Sequence, residues 1–425
     1  MNDPAQEISD CPVWARDDAF PLAPDGWGWV DAKGRSHRCA SQQLLISAIR
    51  DDRDGSLVLI WAPGHSRMIL PEELEGTGDA LRAARDRWTH DDLTYAAYKL
   101  KWFGGVLVAF AAWAFYRGFN TDVHGTATAL DRAKIGLGAI LSSTSVGLAM
   151  LMFVILAFIP WYQARKRRQE LGKWTQVGIA ASVPALRFET WLERQRAPFT
   201  KVLLGLVTLV AVLQIFGQVK ADGWKAGAAL LQHWQGTSAA GLIKNRYLQG
   251  EWWRLFTAPF LHGNLVHFLM NASALVYLGR RVETFARWPH LPLVFLFAAS
   301  VGGETSVRFT AAPTVGASGG LMGWLGFLLV FETLHARLVP RPARRRLAAG
   351  VFLTALIGLV GYRYIDNAAH AGGLLAGMLY AVIVFPKSAS PHRPRTTITD
   401  LVAGGAALVV LAAAALFAVS RIAAG

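Results

Sequence analysis

Residues 316–324 read GASGGLMGW and open an apolar run that continues to Leu334. A serine set among small residues in such a place has two readings. Small residues let the backbones of two membrane helices approach closely, because lipid tails give helices no hydrophobic reason to associate and packing must do so instead. Alternatively, Ser318 is a nucleophile held inside a bilayer. The nonapeptide alone favours packing, and chemistry at Ser318 requires partners elsewhere in the chain.

Working outward, the 425 residues are 53% hydrophobic and only 17% charged, the composition of a membrane protein that carries a soluble part. The net charge of +14, from 43 basic and 29 acidic residues, would suggest nucleic acid as the partner of a soluble protein. Here the basic residues cluster in short segments between apolar runs, which is how orientation in a membrane is encoded. No nucleic-acid partner is expected. Asp3, Glu7, Asp10, Asp17 and Asp18 crowd the start of the chain, which has no apolar core there. That is unlike a signal peptide, so the amino terminus is expected in the cytoplasm. Cys11 and Cys39 make no disulfide framework, and with His37 and His65 they match no zinc spacing. Neither a metal nor a cofactor is expected.

A bilayer crossing takes about 20 residues, and apolar runs of roughly that kind fall at 102–119, 135–162, 202–219, 264–279, 291–307, 316–334, 347–362, 367–385 and 401–420. If the first crosses outward, every second connection is cytoplasmic. Those connections hold Arg165, Lys166, Arg167 and Arg168; Arg280, Arg281 and Arg287; Arg337, Arg341, Arg344, Arg345 and Arg346; and Lys387, Arg393 and Arg395. The opposite side is less basic and includes Arg363 and Tyr364, as the positive-inside rule requires. Ahead of the runs, residues 1–100 read as a small soluble α+β domain. Strands are expected over 27–30 and 56–61, turns at Lys33-Gly34 and Pro63-Gly64, and a polar helix over 71–99. Residues 163–200, with Trp174, Phe188 and Trp191 among Arg and Glu, read as an amphipathic linker on the membrane surface.

Polar side chains inside apolar helices are costly, so each needs a reason. Residues 261–271, LHGNLVHFLMN, place His267 and Asn271 four apart, on one helix face. Residues 366–377, DNAAHAGGLLAG, place His370 one turn after Asp366 and ahead of Gly373 and Gly377. In the topology above, His267, Ser318 and His370 all fall near the outer start of their helices, at one depth where they can converge. Histidine suits the base that a serine nucleophile needs. Gly373 and Gly377 would bring the His370 helix against that of Ser318, with Gly319 and Gly320 serving its other side. Free amides at the start of the Ser318 helix, with His267 and Asn271 as side-chain donors, would suit an oxyanion. Asp366 reads as an N-cap rather than a third catalytic member. Glu304 and Arg308 read as an ion pair, His262 as a structural residue and His335 as a solvated one.

These residues resemble the rhomboid intramembrane serine proteases: GASG around Ser318, the array of His262, His267 and Asn271, the Ala-His-x2-Gly-x3-Gly run over 369–377, and the Trp253-Arg254 pair. The resemblance covers roughly 200–385 and implies a six-helix core. It implies a Ser318–His370 dyad that cleaves peptide bonds in or beside transmembrane segments of other proteins. It also implies oxyanion binding by Ser318, His267 and Asn271, and a loop with Trp253 and Arg254 partly in the outer leaflet. Gly316, Gly319, Gly373 and Gly377 would be structural near the site. Met322 stands where many members carry an aromatic residue under the histidine, and its thioether can pack against imidazole.

The expected fold is an all-α polytopic membrane protein, a six-helix rhomboid core with extra transmembrane helices behind a small soluble α+β domain. Its expected divisions are 1–100 soluble and cytoplasmic, 101–162 two added helices, 163–200 the linker, 201–386 the protease core and 387–425 a linker with a further helix. The expected function is a serine endopeptidase in a bacterial inner membrane, its site near the outer face, with transmembrane proteins as substrates and the bilayer as surroundings. A non-catalytic rhomboid-like protein that binds membrane clients is the alternative, although such relatives usually lack a dyad residue.

Overall fold

Residues 11–121, 128–172, 175–222, 234, 236–362, 365–386 and 396–424 are described in a computed structural model of the chain. Asp3, Glu7, Asp10, Trp174, Arg363, Tyr364, Lys387, Arg393 and Arg395 lie outside them. The chain forms two compact units: residues 15–190 with 352–365, and residues 191–351 with the first 14 residues and 366–425.

In the first unit, β1 (Trp27–Asp31) pairs antiparallel with both β2 (Ser36–Cys39) and β3 (Leu57–Trp61), in the order β2-β1-β3. Gly28 of β1 is glycine because the Trp61 ring lies 2.2 Å from where a Cβ would sit. Helix α1 (Gln42–Asp51) is capped by Ser41, which accepts the Leu44 N–H at 3.4 Å, and buries Leu45 and Ile49 one turn apart. Neither β2 nor α1 is foreseen from sequence: SHRC shows no alternation of apolar residues. His37 stacks on Trp29 with ring centroids 4.0 Å apart.

Helix α2 runs unbroken over Gly78–Phe119, 42 residues or about 63 Å. The polar helix expected over 71–99 and the apolar run 102–119 are therefore largely one rod, preceded by a 3-10 turn at Pro71–Glu73. The second run is broken at Ser143 into α3 (Ala129–Ser142) and α4 (Thr144–Phe153), which continues through a π turn into α5 (Ile159–Leu171). They return along α2: Gly118 meets Gly136 and Ala139, while Arg167 pairs with Asp92 at 3.0 Å. In α6 (Gln176–Glu193), Phe188 is fully buried. Arg187 pairs with Glu73 at 2.6 Å and lies over the Phe20 ring. This segment contacts the N-terminal domain through those residues.

The second unit contains α7 (Pro198–Asp222), α8 (Leu265–Ala286), α9 (His290–Phe309), α10 (Ser318–Leu334), the start of α11 (Arg341–Val360), α12 (Asn367–Val384) and α13 (Ile398–Ala423). Among the described residues six stretches are long and apolar enough to cross a membrane: α2, Ser145–Leu171, α7, α9, α12 and α13. Helix α10 has only 17 residues. Helix α8 is diluted by His267, Asn271, Arg280 and Arg281, and α11 by Arg341 and Arg344–Arg346, which is why nine apolar runs reduce to six such stretches.

Three helices meet through glycine. The Cβ of an alanine at Gly373 of α12 would lie 2.1 Å from the Gly319 carbonyl oxygen of α10, and one at Gly377 would lie 1.8 Å from that of Gly323. On α9, a Cβ at Gly302 would lie 2.6 Å from the Ala369 carbonyl oxygen. Backbone touches backbone along α10 and α12, as small-residue packing in lipid allows. Helix α13 covers α7 and α9, and its Phe417 meets the Trp253 ring edge-on at 5.0 Å.

Two expectations about charge are corrected. Arg281 is not a loop residue, because α8 continues to Ala286. Its guanidinium, 0% exposed, forms a bidentate pair at 2.5 and 3.0 Å with Glu332 of α10, 1% exposed. Arg281→Met removes the guanidinium from a buried carboxylate, at an expected cost of about 3–5 kcal/mol. The double variant Arg281→Met/Glu332→Leu removes both charges and should recover most of the loss, as thermal unfolding in detergent would report. His335 is buried rather than solvated, its ring 4.8 Å from Phe331.

Candidate active site

Ser318 is the first residue of α10 and is half-buried. It is preceded by Gly316, whose φ of +117° is a conformation that side chains disfavour. That backbone turn presses the chain against α8. A Cβ at Gly316 would lie 2.7 Å from the His267 ring and 3.1 Å from Asn271 Nδ2. The Gly316 N–H donates to the Ala258 carbonyl at 3.0 Å. The first turn of α10 closes with the Leu321 N–H on the Ala317 carbonyl at 3.0 Å. The amides of Ser318, Gly319 and Gly320 come before that bond and have no helical carbonyl to use.

His370 stands on α12 and is half-buried. A Cβ at Gly319, the residue after Ser318, would lie 3.9 Å from the carbonyl of Ala369, the residue before His370. Serine and histidine therefore leave the backbone at adjacent points of the α10–α12 contact. Among the described residues no hydrogen bond joins Ser318 to His370. Met322, one turn along α10 from Ser318, is buried.

His267 and Asn271 are placed by the start of α8. Asn264 caps the helix by accepting the His267 N–H at 2.9 Å. Asn271 Nδ2 lies 3.1 Å from His262 Nε2, and the His262 ring packs edge-on to that of His267 at 5.2 Å. His262 is fully buried. Its backbone is gripped on both sides by Gln214 of α7, which accepts the His262 N–H at 2.9 Å and donates to its carbonyl at 3.1 Å. Gln214 is a buried neighbour of His262 that the motifs do not include, though a glutamine inside an apolar run is itself the signal for a buried partner.

Asp366 is the N-cap of α12: one oxygen accepts the Ala369 N–H at 2.9 Å, and the other accepts from the hydroxyls of Ser306 and Thr314. The Trp253–Arg254 pair organises the loop before α8. Arg254, with no exposed surface, pairs with Glu251 and donates to the carbonyls of Gly241 at 2.7 Å and Ser238 at 3.3 Å. Its guanidinium lies 4.6 Å from the Trp253 ring centroid. Glu304 pairs with Arg308 at 3.5 Å, as expected from their spacing, and also accepts from Tyr247.

Residues 249–387 match the family model of the Rhomboid domain. The chain is 33% identical over 145 residues to Rhomboid protease GluP of Bacillus subtilis (strain 168), covering 33% of this chain and 28% of that protein. It is 33% identical over 144 residues to RHOMBOID-like protein 6, mitochondrial, of Arabidopsis thaliana, covering 33% of this chain and 46% of that one. Inactive rhomboid protein 2 of Homo sapiens is 30% identical over 145 residues, covering 33% of this chain and 17% of that protein. The chain thus spans less than half the length of each of these relatives.

Proposed function

We propose that the chain, whose residues 249–387 match the family model of the Rhomboid domain, is a rhomboid-type intramembrane serine endopeptidase acting on transmembrane segments of other proteins. The observation that carries this reading is the contact of α10 with α12, which sets Ser318 and His370 on neighbouring backbone while Gly316 meets His267 and Asn271. Ser318 Oγ attacks the scissile carbonyl as His370 takes its proton. The tetrahedral oxyanion is held by the free amides of the first turn of α10 and by the side chains of His267 and Asn271. His370 returns the proton to the leaving amine, and then activates a water that hydrolyses the acyl-enzyme. Residues 201–386 form the proposed protease core, in a bacterial inner membrane with the amino terminus cytoplasmic and the site near the outer face.

The second reading, a non-catalytic client-binding protein, draws on the relative named inactive, and retention of both Ser318 and His370 weighs against it. Labelling of the detergent-solubilised chain by a fluorophosphonate separates the two. The wild type should label at Ser318, and His370→Ala should label at least about 10²-fold more slowly, the low end of what a general base contributes. An unlabelled wild type, or equal labelling of the two forms, would favour the non-catalytic reading.

A further inference from the structure

Lys244 is a cation in this half of the molecule for which the dyad has no use. It sits in the short helix Lys244–Leu248 of the loop before α8, only 6% exposed, and its ammonium donates to the Thr314 hydroxyl. Thr314 donates in turn to Oδ2 of Asp366 at 2.5 Å. The backbone on either side is tied as well: Leu242 and Thr314 exchange N–H···O bonds of 3.0 and 3.1 Å. One relay of ammonium, hydroxyl and carboxylate therefore joins three separate segments.

The place of each member gives the relay its consequence. Thr314 stands four residues before Ser318, and Asp366 four before His370, whose N–H donates to the Asp366 carbonyl at 3.1 Å. The strand of chain that delivers the nucleophile and the helix end that delivers the base are fastened to each other through the same three side chains. Buried polar groups linked in this way rigidify when every member is satisfied. We propose that Lys244 is a positioning residue: through Thr314 and Asp366 its ammonium holds the Ser318 and His370 segments in catalytic register, and loss of its charge disarms the dyad without unfolding the protein. The proposal rests on the peptidase reading above.

Burial pulls the Lys244 amine down to about 8, with the Asp366 carboxylate opposing the shift. The other charges of the neighbourhood are paired elsewhere: Glu251 with Arg254, and Glu304 with Arg308. His370 lies one turn along α12 from Asp366. Because the folded chain releases this proton from about pH 8, whereas the unfolded chain holds it to about pH 10.5, the unfolded state binds more protons across that window. Stability owed to this group therefore rises with pH there. The ammonium that positions the dyad disappears over the same window. Activity and stability consequently move in opposite directions, which a purely structural lysine would not produce.

The test measures fluorophosphonate labelling rate and melting temperature between about pH 6 and about pH 10, a span that brackets the shifted amine, for wild type, Lys244→Met and Lys244→Arg. Wild-type labelling should fall on an alkaline limb near pH 8 while melting temperature, taken relative to Lys244→Met, rises. Lys244→Met should label about tenfold more slowly at neutral pH, since small misplacements of reacting groups cost up to about 100-fold, and should lack that limb. Lys244→Arg, whose guanidinium keeps its charge, should restore rate without the limb. A limb unchanged in Lys244→Arg, or wild-type labelling by Lys244→Met, would overturn the proposal alone. A wild type that never labels would overturn the peptidase reading and this proposal with it.

Discussion

Ser318→Ala is expected to abolish cleavage of a model transmembrane substrate, with the rate falling on the order of 10⁴- to 10⁶-fold, as loss of the nucleophile does in serine hydrolases. Alanine keeps the small volume that the start of α10 needs, and α10 there lies against α9 and α12. The hydroxyl accepts or donates no hydrogen bond within the described residues, so its removal leaves no buried partner unsatisfied. Thermal unfolding of Ser318→Ala should therefore match that of the wild type to within a degree or so, a change below about 0.5 kcal/mol. This separation is what makes the experiment decisive. A variant that melts normally and does not cleave assigns the chemistry to Ser318, whereas one that melts normally and still cleaves removes Ser318 from the mechanism. His370→Ala should lose comparable activity, and the double variant little more, because residues acting as one unit are not additive.

How much of this was legible in the sequence depends on range. The spacing of Gly373 and Gly377 is local, and a four-residue interval on a helix reports a shared face without knowledge of the fold. Both glycines do lie against carbonyls of α10. Capping by Asp366 was legible for the same reason, and so was the Glu304–Arg308 pair. Arg281 reads as a loop cation in the sequence because its partner Glu332 is 51 residues away. A basic residue near the end of an apolar run obeys the positive-inside pattern whether it faces cytoplasm or a buried carboxylate. The Lys244–Thr314–Asp366 relay was equally hidden, since Lys244 and Thr314 are 70 residues apart and a single lysine in a polar loop carries no periodicity. Helix α2 reads as two elements in the sequence because its composition changes near residue 100. Helical hydrogen bonding is indifferent to that change, so one helix passes from polar to apolar surroundings.

Gly373→Ala should cost both stability and activity, and the coupling between the two losses is informative. The added methyl would lie 2.1 Å from the Gly319 carbonyl oxygen and 3.0 Å from its carbon. These are backbone atoms, so no side chain can rotate away, and α10 and α12 must separate. Overpacking of this kind costs on the order of 3 kcal/mol. The clash falls one residue past Ser318 on α10 and three past His370 on α12, so the separation acts directly on the distance between the proposed nucleophile and base. A misplacement of about 1 Å is enough for a loss of about 100-fold. Gly405→Ala on α13, where a Cβ would meet nothing within 4 Å, is the matched control and should change neither quantity. If Gly373→Ala melted like the wild type yet lost activity, the glycine would be needed for motion or substrate access. If it lost stability but retained full activity, the register of α10 against α12 would not set the dyad, and the packing reading of the nonapeptide would stand apart from its chemistry.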